Sequence, residues 1–353
     1  MMFINSLNHD EVLNSYNFAR KADVVYSEVI SKKNFKQINN DNIQILFEDK
    51  DKIFYFKEKF ELSNNQIIFT NNYLLKSLFT ILEKNTNLKN LKLITHQTDF
   101  SITKKIFETR PKSISKWYSI NVDYNHPDLI PIPIGLSNEY SPKNVFQNNY
   151  QFLNFIKLDE KIEKIYVNFQ RNTQFIHRSI LEKKLKKLDF VIFDEPNLSI
   201  SEYLDKVVTH KYVLCPKGNG LDTHRIWESL YAGSIPITEN LITNNFCSDL
   251  PVLRINNLKK INKSLLNFNK LEFFDNDFYN EKLTVSYWIR KIKDSEEEII
   301  SEKAKKYLFI NSLQQIEKII SDYKREVIYE NRIKKFNTIF RKLFQKILDL
   351  IYR

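Results

Sequence analysis

The sequence predicts an α/β protein of two parallel-sheet domains followed by an amphipathic helix, on three observations. At 353 residues the chain exceeds one ordinary core and suits two domains. Between about residues 90 and 240, short apolar runs alternate with amphipathic stretches, the pattern of strands joined by crossover helices. The last stretch, 331–353, carries one apolar stripe at helical spacing.

Taken in order, residues 1–90 alternate helix-like stretches with short apolar runs such as NIQILF and DKIFYF. LKLITHQTDF (91–100) reads as a buried strand ending in polar residues. LIPIPIGL (129–136) reads as extended, because Pro131 and Pro133 exclude helix. The pattern resets around 145–160, which divides the chain into 1–155, 156–325 and 326–353. The second part opens with a strand at 164–170, a helix at 173–188, a strand at 189–193, a helix at 199–208 and a strand at 210–216. It continues with a glycine loop and helix, then the strand SIPIT at 234–238.

Composition narrows the class. Hydrophobic residues make up 42% and aromatics 14%, enough apolar surface for packed cores and not for a disordered chain. Cys215 and Cys247 are too few for a disulfide framework or a zinc site, which suits a reducing compartment. No apolar run has the length of a signal peptide or a membrane span, so a cytoplasmic protein is expected. Net charge is +11, of which residues 331–353 supply +6 through seven Lys/Arg and one Asp. Charge gathered in a tail, with no basic face elsewhere, argues against nucleic acid. In that tail Ile333, Phe336, Phe340, Leu343, Ile347 and Leu350 form one stripe, with Lys and Arg opposite. A helix packed on the body, a helix lying on an anionic membrane and an oligomerisation seam all fit this pattern.

The most informative stretch is CPKGNGLDTHRIWESLYAGSIPI, Cys215–Ile237, which holds three of the four glycines. A strand delivers the chain to a glycine loop with room for close ligand approach, and Asp222 is placed to cap the helix that follows. The free amides after Gly220 at the helix start then make an anion site. On a helical wheel His224, Arg225, Glu228 and Ser229 share one arc of about 140° and the apolar residues the other. Gly233 is placed as the helix stop. Arg suits phosphate and Glu suits ribose hydroxyls. Neither nucleotide signature fits: no P-loop string occurs, and GNGLDT puts Thr223 where a dinucleotide fingerprint needs its third glycine.

The stretch resembles the exostosin-like glycosyltransferases, in bacterial or viral soluble form. Their pattern is C/S-P-x-G-x-G-x-D-x-x-R-x-W-E-x-L-x-x-G-x-I-P. Cys215, Pro216, Gly218, Gly220, Asp222, Arg225, Trp227, Glu228, Leu230, Gly233, Ile235 and Pro236 fill every specified place. LITHQTDFSI, KWYSINV, PIPIGL, DLPVLRINN and YWIRKI extend the similarity over about residues 90–295. The resemblance implies a GT-B architecture, two Rossmann-like domains facing across a cleft with the donor on the second. It also implies inverting transfer of a sugar from a nucleotide-diphosphate donor, UDP-sugar favoured, to a hydroxyl of a glycan or lipid-linked acceptor.

That chemistry asks for fixed positive groups at the departing diphosphate and a base at the acceptor hydroxyl. Arg178, Gly218, Asn219, Gly220, Asp222, His224, Arg225 and Glu228 are the expected donor-binding residues. Asp99 and His96, at the end of the 91–100 strand, are the expected catalytic bases, with Asp123 a further choice. Asp275-Asn276-Asp277 has metal-binding spacing but reads as a surface turn, so no metal and no cofactor beyond the nucleotide sugar is expected. Two alternatives stay open: a fucosyltransferase-like GT-B enzyme using a GDP-sugar, and a relative that binds nucleotide sugar or glycan without turnover. A basic membrane- or nucleic-acid-binding protein is the third.

Overall fold

In a computed structural model, fifteen strands among the described residues, with the helices between them, make two parallel sheets with antiparallel additions. The structure describes residues 3–351 except 39–40, 142–143, 269–276, 295–304 and 311–312, and in the last helix it leaves out the side chains of 334, 336, 337 and 339–351. The strands are β1 (Val24–Val25), β2 (Ser27–Ser31), β3 (Ile43–Glu48), β4 (Lys52–Lys57), β5 (Lys59–Ser63), β6 (Ile67–Asn71), β7 (Leu91–His96), β8 (Ile114–Ser119), β9 (Leu129–Pro131), β10 (Ile162–Val167), β11 (Val191–Phe193), β12 (His210–Leu214), β13 (Ile235–Glu239), β14 (Leu253–Ile255) and β15 (Lys305–Phe309). The helices that position the site are α1 (Leu75–Glu83), α2 (Phe175–Leu185), α3 (Ile200–Thr209), α4 (His224–Tyr231) and α5 (Leu313–Ile351).

The first parallel sheet has the order β1-β6-β7-β8-β9 and the second β11-β10-β12-β13-β14. The expected class, two Rossmann-like α/β halves facing across a cleft, is therefore borne out. β7 shows why the central strands were legible. All six of its residues are buried, and its apolar Leu91, Leu93 and Ile94 mark it as a strand covered on both faces. The parallel strands β1 and β14 are short, and β15 pairs with β5 from the far end of the chain, so local pattern gave none of them away.

The last part of the chain returns to the first half. β15 pairs antiparallel with β5, and α5 lays Ile316, Ile319 and Tyr323 on the apolar cluster around β6 and β7. Tyr323 meets Phe54 and Tyr73 edge to face at ring-centroid distances of 5.2 and 5.5 Å, and Tyr73 Oη donates to Glu330 Oε2 at 2.7 Å. The tail is thus the end of a helix that begins at Leu313, earlier than the 326 expected. Of the apolar stripe, only Ile333 lies within the described side chains, where it is 41% exposed. Among the described residues no helix is long and apolar enough to cross a membrane.

The halves are fastened by polar contacts to backbone. Asn121, just past β8 with a left-handed φ of +57°, accepts from the amides of Leu221 (2.7 Å) and Asp222 (2.9 Å) and donates to the Thr98 carbonyl. Gly220 is required by this contact: a Cβ there would lie 2.9 Å from Asn121 Oδ1. Asp222 accepts from the Ile134 amide at 2.8 Å, the Thr223 amide at 2.7 Å and the Trp227 indole at 3.4 Å. The Leu13 amide donates to Tyr231 Oη, and Gly135 packs its backbone on Leu13. Asp222 is only 4% exposed, and burial pushes its carboxyl up to about 7 against the pull of the three donors.

Two outcomes follow. At Gly135 φ is +68° and a Cβ would lie 2.1 Å from the Leu13 carbonyl oxygen, so Gly135→Ala should cost more than about 3 kcal/mol in denaturant unfolding. Asp222 holds its proton more tightly folded than unfolded, so its contribution is full below about pH 4 and is lost as pH rises through about 7. Wild type should lose on the order of 3 kcal/mol between pH 4 and 8 from this group, and Asp222→Asn should flatten that part of the profile. Equal pH slopes for the two proteins would contradict it.

Candidate active site

Strand order locates the site. In the second sheet the order reverses between β10 and β12, and in open α/β sheets ligands bind outside the carboxyl ends of the strands at such a switch point. Two loops leave there, 168–173 after β10 and 215–220 after β12. Arg178 of α2 ties them together: Nη1 donates to the Gln170 carbonyl at 2.8 Å, Nη2 to the Pro216 and Lys217 carbonyls at 3.0 and 2.8 Å, and Nε to Lys217 at 3.2 Å. It is 5% exposed, and burial with Arg225 nearby lowers it to about 10. Its hydrogen bonds go to loop carbonyls, so this helix residue, expected to bind the donor, shapes the two loops. Glu239, at the end of β13, accepts from the Lys217 amide at 2.9 Å and lies 3.6 Å from His177 Nε2.

The start of α4 departs from expectation. Asp222 does not cap it: Thr223 holds the cap position without a side-chain bond, while Asp222 reaches back to the first half. The amides of Leu221 and Asp222, expected to meet phosphate, are taken by Asn121. Neither Gly218 nor Gly220 uses the left-handed region; a Cβ on Gly218 would meet only Arg178 Nη2, at 3.7 Å. The end of α4 is as expected. Gly233 has φ +65°, its amide donates to the Leu230 carbonyl and that of Ser234 to Ser229, the paired bonds of a glycine helix stop.

The polar face of α4 is enclosed too. Glu228 is 7% exposed and Ser229 fully buried. Tyr203 joins this face from α3, where Ser199 and Glu202 form a capping box that sets the helix start. Tyr203 Oη donates to Glu228 Oε2 at 2.7 Å and accepts from Arg225 Nε at 3.1 Å. That leaves the Nη groups of Arg225 and Oε1 of Glu228 without hydrogen-bond partners among the described residues. Tyr203 and Glu228 outweigh burial and raise the Arg225 guanidinium further, so its charge is permanent. A fixed cation and a carboxylate oxygen side by side can meet a phosphate and a hydroxyl.

Between the halves lies a cleft of about 860 Å³. His96, Asp99 and Ile134 line it from the first half, Thr173, Asn219 and His224 from the second. His96 is buried, its Nδ1 accepts from the Gln97 amide at 2.8 Å and its Nε2 then faces the Pro133 carbonyl at 3.3 Å. Burial lowers it to about 3, so it stays neutral with both nitrogens engaged, a poor arrangement for the base expected of it. Asp99 is exposed in the cleft and has no hydrogen-bond partner among the described residues. Asp123 is exposed and does not line the cleft. His224 donates from Nδ1 to the Gly135 carbonyl at 2.7 Å, which turns Nε2 away from that bond.

The structure therefore puts the expected residues in two places. His96, Asp99, Asn219 and His224 border the cleft, while Arg178, Arg225 and Glu228 stand behind the glycine loop. Asn121, Tyr203 and Glu239 went unread. Of these only Glu239 had a signal, an acid directly after the last strand of the motif. Among the described residues no group of three or more His, Cys, Asp or Glu side chains is placed to hold a metal ion, and Asp275 and Asn276 lie outside them.

A family model described as the RXYLT1 C-terminal domain, of an exostosin-related glycosyltransferase family, matches residues 151–272. A solved structure titled "Crystal Structure Analysis of the Glycotransferase of kitacinnamycin" is similar at 10% identity and a TM-score of 0.29, over 64% of this chain and 71% of that one. No curated protein matches. The matched segment spans β10 to β14 with the whole of the loop-and-helix motif, and in that segment the chain is similar to an exostosin-related glycosyltransferase domain.

Proposed function

We propose that the protein is an inverting GT-B glycosyltransferase that moves a sugar from a nucleotide-diphosphate donor, a UDP-sugar first, to an acceptor hydroxyl without a required metal. The observation that carries this reading is the pair of open groups on α4: the Nη groups of Arg225 and Oε1 of Glu228, held by Tyr203 beside the switch point. Arg225 supplies the fixed charge for the departing diphosphate and Glu228 accepts from ribose hydroxyls. Gly218 and Asn219 form the loop that the donor passes, and Arg178 keeps that loop in shape.

Across the cleft Asp99 takes the proton of the acceptor hydroxyl. The hydroxyl oxygen bonds to the sugar's anomeric carbon as the bond to the diphosphate oxygen breaks, and the electron pair leaves with the diphosphate. Asp99 is preferred over His96 because its carboxylate is exposed in the cleft, whereas both His96 nitrogens are engaged.

Calorimetry against UDP, GDP, CMP and their sugars, with and without EDTA, tests the donor side. One nucleotide should bind equally in both conditions, and Arg225→Ala should weaken it about 30-fold, a loss of roughly 2 kcal/mol. Glu228→Ala should weaken nucleosides as well as nucleotides. No binding of any nucleotide by well-folded protein overturns the reading. Once a donor and acceptor pair is found, Asp99→Asn should keep donor binding while transfer falls about 100-fold or more.

A further inference from the structure

A second depression, of about 900 Å³, opens beside the cleft on the first half, between α1, the 100–109 segment and α5. Phe79, Phe100, Ile102 and Ile106 give it an apolar floor. Its outer wall is Tyr329 and Ile333 of α5, one turn apart on the same face and 67% and 41% exposed. Tyr73, Glu330 and Ile333 border both this groove and the cleft, so the two form one continuous surface. At one end stand Asp99 and His224, at the other the exposed Tyr329 and Ile333 over the floor of Phe79, Phe100, Ile102 and Ile106.

We propose that the acceptor is amphiphilic, with an apolar chain in the groove and its hydroxyl-bearing head in the cleft beside Asp99. The inference rests on the transferase reading and names the substrate class for it. A wholly water-soluble glycan would gain nothing from apolar surface continuous with the reacting end. An alkyl or polyprenyl chain fits it, because removing that surface from water is the term that favours binding. The groove sits on the half opposite the donor motif, so chain and nucleotide do not compete for space.

Tyr329→Trp places a reporter on the groove wall, with wild type as the blank. Its fluorescence should be quenched saturably by a dodecyl β-glucoside brominated on the chain, used below its micelle concentration. Methyl β-glucoside should neither quench nor compete. Ile106→Asp in the same background should weaken the dodecyl compound at least about tenfold while UDP binding, measured in parallel, is unchanged. Absence of quenching with UDP binding intact overturns the groove proposal and leaves the donor site standing. Loss of binding to UDP, GDP and CMP alike in every protein overturns the transferase reading itself. Quenching by brominated anionic vesicles but not by the glucoside makes this face a membrane contact and also overturns the proposal.

Discussion

The contact on which the arrangement depends is Asn121 against the backbone of Leu221 and Asp222. One side chain from the first half accepts from two amides of the second and returns a hydrogen bond to Thr98. It occupies the space a Cβ on Gly220 would need, and it closes the start of α4. Asp222, freed from capping, can then reach the Ile134 amide. The setting of α4 and the position of His224 against Gly135 follow from how these few polar groups are paired in a buried interface.

Much of the second half was legible because its signals are local. β10, α2, α3 and β12 fall where periodicity puts them, and Gly233 ends α4 as a glycine after an amphipathic helix should. Arg225 and Glu228 were legible for the same reason, since spacing alone sets which helical residues share a face. What sequence could not settle was which partner each group finds. An amide at a helix start is open to phosphate or to a side chain, and only the fold brings Asn121 there. His96 ends a strand at the cleft, as read, but its neutrality depends on the Gln97 amide and on burial, which no spacing reports.

The polar face of α4 is organised by enclosure. Arg178 and Arg225 are two cations in one neighbourhood, and the first is satisfied by carbonyl oxygens while the second is held by a phenol. One fixes the backbone of the loops, and the other has its outer nitrogens without a hydrogen-bond partner among the described residues. Like charges so placed favour an anion between them, and the surrounding apolar packing of α4 strengthens that attraction.

The pairing of β5 with β15 bears on how the chain acquires its shape. An edge of the first half is completed by a strand from nearly the far end of the sequence, and α5 then covers the cluster around β6 and β7. During synthesis the first half must therefore wait, with β5 unpaired and apolar surface uncovered, until the second half has been made. Contacts of such long sequence separation close late and slowly, and the intervening chain has time to fold first. The second sheet, built from neighbouring strands and crossover helices, is the part suited to form early.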